Sequence, residues 1–142
     1  MTDECWFELQ VESDTRNLEV IGDFITKTMK RLGVTDDKDI FETQLAVDEA
    51  CTNIMEHAYS GKPAGKLTIN CRVSKETEFT VKLIDQGTPF DPTTVLPPDT
   101  EAPLDERKRG GYGIFFMKTM MQTVKYAFTE KGNELTMTKL LH

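Results

Sequence analysis

The sequence predicts an α+β fold, a two-layer sandwich in which a mostly antiparallel mixed sheet carries its helices on one face. Three observations predict it. Strand-like alternation of apolar and polar residues occurs at the start, the middle and the end of the chain. Two long stretches with helical spacing separate the first strand from the next two. The elements then follow as strand, helix, helix, strand, strand, loop, helix, strand, strand, an order that suits hairpins backed by a helical layer.

The opening strand runs from Cys5 to Val11, with Phe7, Leu9 and Val11 on one side and Glu8 and Gln10 on the other. Ser13 or Asp14 can cap the helix that follows, in which Leu18, Ile21, Ile25, Met29 and Leu32 recur at three- and four-residue steps. Gly33 ends that helix. Asp36 or Asp37 opens a second helix reaching Tyr59, where Ser60-Gly61-Lys62-Pro63 stops it. Leu67, Ile69, Cys71 and Val73 line the next strand and Phe79, Val81 and Leu83 the one after it, joined by a turn at Ser74-Lys75-Glu76. Residues 86–110 are proline-rich and lack periodicity, a long loop of the kind that compact domains keep for function. A helix from Tyr112 to about Gln122 follows. Strands near 125–129 and 135–141, around a Lys131-Gly132-Asn133 turn, complete the chain.

With 142 residues the chain fits one domain. Hydrophobic residues make up 38% and charged residues 29%, a globular balance with no apolar run near the roughly 20 residues of a membrane span. The acidic N-terminus does not read as a secretory signal. Cys5, Cys51 and Cys71 are odd in number and lack a C-x-x-C pair, which speaks against a disulfide scaffold or a zinc knuckle and suits reduced thiols in the cytoplasm. The net charge of −7 argues against nucleic acid as a partner, because the only dense basic cluster is Arg107-Lys108-Arg109. It also means that a bound polyphosphate would need a metal ion and local amide dipoles.

Three stretches carry candidate chemistry. In the second helix, Glu49, Asn53 and His57 lie four apart and share one stripe. The Asn53 amide oxygen is a ligand type that suits Mg²⁺, and Glu49 one turn earlier could accept a proton beside it; the same spacing also fits a solvated helix face. At the end of the fifth element, Asp85-Gln86-Gly87 leads into the loop. A carboxylate there can accept the exocyclic amine proton of adenine, where guanine would leave it unpaired, and Gly87 lets backbone approach a planar base. A plain strand-ending turn would use the same residues. Finally, Arg109-Gly110-Gly111-Tyr112-Gly113 runs into a helix, leaving backbone N–H groups free for phosphate oxygens. No βαβ context and no G-K-S/T pair accompany it, so neither a Rossmann nor a Walker loop is present.

In order and spacing, these stretches resemble the N, G1 and G2 boxes of the GHKL (Bergerat-fold) ATPases. Residues 45–59, Leu-Ala-Val-Asp-Glu-Ala-Cys-Thr-Asn-Ile-Met-Glu-His-Ala-Tyr, are very similar to the N-box helix of bacterial anti-sigma-factor serine/threonine kinases. The resemblance covers nearly the whole chain. It implies ATP and Mg²⁺ as cofactors, with Asn53 as the metal ligand, Glu49 as the catalytic base, and Asp85 and Gly87 at the adenine. It further implies that Gly110, Gly111, Tyr112 and Gly113 form the phosphate turn, that Arg109 sits near the γ-phosphate, that Thr136 completes the adenine side, and that an ATP lid spans about 93–108. The function implied is phosphorylation of a STAS-type anti-anti-sigma partner on serine or threonine together with sequestration of a sigma factor, by a cytoplasmic homodimer. A nucleotide-switched binding module without phosphoryl transfer is the alternative; the presence of both Glu49 and Asn53 favours the enzyme.

Overall fold

The computed structural model describes residues 6–57, 65–75, 77–89 and 118–142. The first strand, β1, spans Phe7–Glu12, and its apolar residues turn inward while its polar ones face water. Asp14 caps a single 3₁₀ turn, Thr15–Asn17, by accepting from the Arg16 N–H at 2.9 Å. That role was open between Ser13 and Asp14. Helix α1, Leu18–Arg31, buries Ile21, Ile25, Thr28 and Met29 along one stripe. It ends where Gly33 adopts a φ of 94°, and Val34 N–H returns to the Met29 carbonyl at 3.0 Å. A left-handed residue closing a helix in this way favours glycine.

Helix α2 spans Asp37–His57. Asp36 is its cap, accepting from the N–H groups of Lys38 and Asp39 at 2.8 and 3.1 Å. The expected extension to Tyr59 lies outside the described residues. Strand β2, Lys66–Ser74, and strand β3, Glu78–Asp85, form a hairpin with Lys75 at a φ of 56°. Strands β4, Thr123–Thr129, and β5, Gly132–Leu140, form another.

The turn between β4 and β5 is shifted from the expected Lys131-Gly132-Asn133. It is the two-residue loop Glu130-Lys131, with Gly132 paired to Thr129 and Asn133 to Phe128. The Thr129 hydroxyl accepts from Lys131 N–H at 3.1 Å and closes the loop one residue early. The third helix also differs at its end: residues 118–120 are helical, but Met121 and Gln122 have left the helix, and Gln122 N–H joins the sheet at the Thr138 carbonyl, 2.7 Å away.

The five strands pair in the order β1-β2-β3-β5-β4, and each pairing is antiparallel, so no parallel component of the expected mixed sheet is found among the described residues. Register aligns Leu9 with Ile69, Ile69 with Leu83, and Leu83 with Leu135, setting one apolar row across four strands. Ile21, Ile25, Met29, Val47 and Ala50 from the helices pack with Leu67, Ile69, Phe79, Val81, Leu83 and Met137 from the sheet in one core. Cys51 and Cys71 are fully buried in it, and burial pushes both thiols well above their usual range, which makes them inert. The opposite face of the sheet is polar. There Trp6 lies beneath the Arg72 guanidinium at 4.4 Å and the Lys82 ammonium at 5.2 Å. No helix among the described residues is long and apolar enough to cross a membrane.

Candidate functional site

The helix that supplies Glu49 and Asn53 lies over the sheet with Ala46, Val47, Ala50 and Ile54 turned toward it. One helical turn separates Glu49 from Asn53, and the two differ in depth. Glu49 is half-buried and engaged with a neighbour, whereas Asn53 is only 5% exposed. The Asn53 Nδ2 is sealed from water and has no hydrogen-bond partner among the described residues. Leaving a buried amide nitrogen unpaired costs roughly 1–3 kcal/mol, so such a group calls for a reason. A ligand atom that accepts from this nitrogen would supply one; a cation would bind the amide oxygen instead.

Across the interlayer, Asp85 ends β3 on the helix-facing side, beyond Leu83, and is 4% exposed. Its Oδ1 accepts from Gly87 N–H at 2.9 Å and from Asn133 Nδ2 at 2.9 Å. The same Asn133 nitrogen donates to the Gly87 carbonyl at 2.9 Å, and the Tyr126 hydroxyl donates to Asn133 Oδ1 at 3.1 Å. Among the described residues the Oδ2 of Asp85 carries no hydrogen bond, so it remains able to accept one. The sequence alone did not single out Asn133 or Tyr126. Asn133 had been assigned to a turn, and only the strand register shows that it faces Asp85 directly.

Gly132 makes this arrangement possible. Its φ is 121°, and a Cβ at that position would sit 2.3 Å from the Asp85 carbonyl oxygen. The β4–β5 hairpin can therefore press against the end of β3, where the Gln86 side chain also donates to the Lys131 carbonyl.

Asn53 from the helix and Asp85 from the sheet are thus both buried, with Gly87 bonded to Asp85 and Glu49 half-buried one turn from Asn53. Thr136 is not brought to them. It pairs with Lys82 and Lys125 on the polar face of the sheet, while Asn133, Leu135, Met137 and Lys139 point to the helices. Strand parity is the reason: Thr136 is three positions from Asn133, an odd number, and so lies on the other side. Arg109, Gly110, Gly111, Tyr112, Gly113 and the 93–108 stretch lie outside the described residues. His57 is exposed at the end of α2.

Two clefts flank this region without belonging to it. One, of about 590 Å³, lies on the polar sheet face between Trp6, Lys82 and Glu134. The Thr129 hydroxyl, by donating to Glu134, and then the Lys82 ammonium hold the Glu134 carboxyl below its usual range. The other, of about 290 Å³, lies between α1 and α2 and is lined by Phe41, Gln44 and Asp48. Burial raises the carboxyl pKa of Asp48. Neither cleft is lined by Asn53 or Asp85.

Comparison with known proteins agrees with the fold. Residues 11–139 match the histidine kinase-like ATPase domain family. The chain is 30% identical over 141 residues to the serine-protein kinase RsbW of Bacillus velezensis, covering 96% of this chain and 86% of that protein. It is 32% identical over 138 residues to RsbW of Halalkalibacterium halodurans, covering 94% and 82%. Among solved structures, the RsbU and RsbW domains of a Mycobacterium tuberculosis protein superpose with a TM-score of 0.68 at 14% identity. That likeness covers 96% of this chain and 32% of the solved one, and it shows a shared fold. The chain therefore belongs to the histidine kinase-like ATPase domain family, which binds ATP, and within it to the RsbW serine-protein kinases, the anti-sigma-factor kinases of the GHKL ATPases.

Proposed function

We propose that this protein transfers the γ-phosphoryl group of ATP to a serine or threonine of a STAS-type anti-anti-sigma partner, and that it sequesters a sigma factor by direct binding. The observation that carries this reading is Asn53, an amide held dry with its nitrogen unpaired among the described residues, one turn from the Glu49 carboxylate on the helix that packs over the sheet ending in Asp85. RsbW kinases being its relatives supports the same reaction class.

In this reading the open oxygen of Asp85 accepts the adenine amine proton, with Gly87 beside the ring. Adenine offers a donor there and guanine a carbonyl, so the pocket discriminates by leaving the wrong base unpaired. Asn53 would hold Mg²⁺ through its amide oxygen, and the ion, when bound, neutralises charge on the phosphates. The amides of Gly110, Gly111, Tyr112 and Gly113 would cradle the phosphates, with Arg109 near the terminal one and residues 93–108 as the lid. Glu49 takes the proton of the attacking hydroxyl as its oxygen bonds to the γ-phosphorus and the bond to the ADP oxygen breaks. Thr136 has no part in this reading, since it faces away. The protein would act in the cytoplasm as a homodimer.

The test is Glu49→Ala with labelled ATP and the cognate partner. ATP affinity is expected to stay within about twofold while transfer falls by roughly 10²–10⁴. Unchanged transfer would show that Glu49 is not the base. Loss of both binding and transfer would place Glu49 in the nucleotide site rather than in proton transfer.

A further inference from the structure

Far along α2 from the nucleotide residues, at the N-terminus of that helix, a second group of side chains converges. Asp36, Asp39 and His142 place one ligand atom each within 4.8 Å of one another. They come from two ends of the sequence: the aspartates start α2, and His142 follows β5. We propose that these three residues bind a divalent first-row transition-metal ion of the zinc type, independently of ATP.

The argument begins with charge. Asp39 is fully buried, and among the described residues its two oxygens are met by His142 alone: the backbone N–H donates to Oδ2 at 2.7 Å and the ring Nδ1 lies 2.7 Å from Oδ1. A histidine carries charge only when protonated. Among the described residues no lysine or arginine forms an ion pair with Asp39 or Asp36. The nearest candidate, Lys139, is committed elsewhere, to Glu42 at 2.7 Å and the Met120 carbonyl at 2.8 Å. Apart from His142, no basic side chain among the described residues meets these two neighbouring carboxylates, one of which is sealed from water. The positive end of α2 offsets part of that charge but not two full units. Buried charges are expected to be paired or to coordinate metal.

The donor set selects the ion. One imidazole nitrogen and two carboxylate oxygens match three-ligand zinc chemistry, with the remaining position open to water; Mg²⁺ favours oxygen ligands alone. The ion would replace the ring proton that faces Asp39, which is released to solvent. Asp36 can contribute because only its Oδ1 caps the helix. His142 also borders a cleft of about 330 Å³ alongside Thr35 and Val73, which neither aspartate lines.

The test is calorimetric titration of the nucleotide-free full chain with ZnCl₂. One ion per chain is expected, at micromolar affinity or tighter. Asp39→Asn could fail to fold because the residue is buried, so the deciding variants are at the less buried positions. His142→Ala and Asp36→Asn should each weaken Zn²⁺ binding at least tenfold, and asparagine preserves the helix cap. His57→Ala and Asn53→Ala should leave binding unchanged. Absence of Zn²⁺ uptake, unchanged binding in His142→Ala or Asp36→Asn, or loss in Asn53→Ala or His57→Ala would each overturn the proposal. With Co²⁺ as a spectroscopic substitute, the visible d–d absorption should disappear in His142→Ala.

Discussion

Asp85 and Asn133 stand directly opposite each other in the pairing of β3 with β5, and the asparagine nitrogen donates to the aspartate at 2.9 Å. By also holding the Gly87 carbonyl, that one nitrogen fixes the carboxylate and the loop root together. Asn133→Ala is therefore expected to weaken ATP binding by about 10- to 100-fold, since a hydrogen bond to a charged group contributes roughly 1.5–3 kcal/mol. Calorimetry with ATP measures it. Affinity unchanged from the wild type would mean that Asp85 needs no positioning.

Gly132→Ala should lower the denaturation midpoint. The new methyl would meet the Asp85 carbonyl at 2.3 Å in a left-handed backbone, a combination that costs on the order of 1–3 kcal/mol. Urea unfolding monitored by circular dichroism gives the value. A midpoint equal to the wild type's would show that the hairpin does not press on β3.

Asn53→Ala separates a stability role from a ligand role. Removing a buried nitrogen that has no partner should leave stability unchanged or raise it by up to about 1 kcal/mol, while the Mg²⁺-dependent gain in nucleotide affinity disappears. Denaturation and calorimetry, each run with Mg²⁺ and with chelator, distinguish the two. A marked loss of stability would mean that Asn53 is part of the packing.

Asp48 gives a pH dependence of defined sign. Burial disfavours its ionised form, so its folded-state pKa is raised above the unfolded one. The residue then costs stability once it is ionised, and the cost fades as pH falls toward the unfolded value near about 4. Asp48→Asn should stabilise the protein at pH 7 by less than about 1 kcal/mol, because the half-exposed carboxylate is screened by water. The gain should vanish at acid pH. Thermal melts from pH 4 to 7 test it, and an equal gain at both ends would exclude ionisation as the cause.

How much of this was legible beforehand depended on whether a residue's role is local. The stripe Ile21, Ile25, Met29 and the alternation of Leu67, Ile69, Cys71 announce their elements, because burial repeats at the period of the backbone. The placement of Glu49 and Asn53 on one helix and of Asp85 at a strand end was readable from their own stretches. Asn133 and Thr136 were not. Their assignment depends on which residue begins β5, and a shift of one position exchanges the faces of the sheet. Asp39 and His142 meet across the fold with no spacing to announce them.

The hairpin clamp at the end of β3 constrains how this corner of the sheet can vary. Asp85–Asn133 and Gln86–Lys131 tie the chain before and after the 90–117 stretch to the same corner of the sheet. Substitutions at this corner can therefore be accepted only in concert, since losing the Asn133 amide strips Asp85 of a bond and any side chain at Gly132 meets the Asp85 carbonyl.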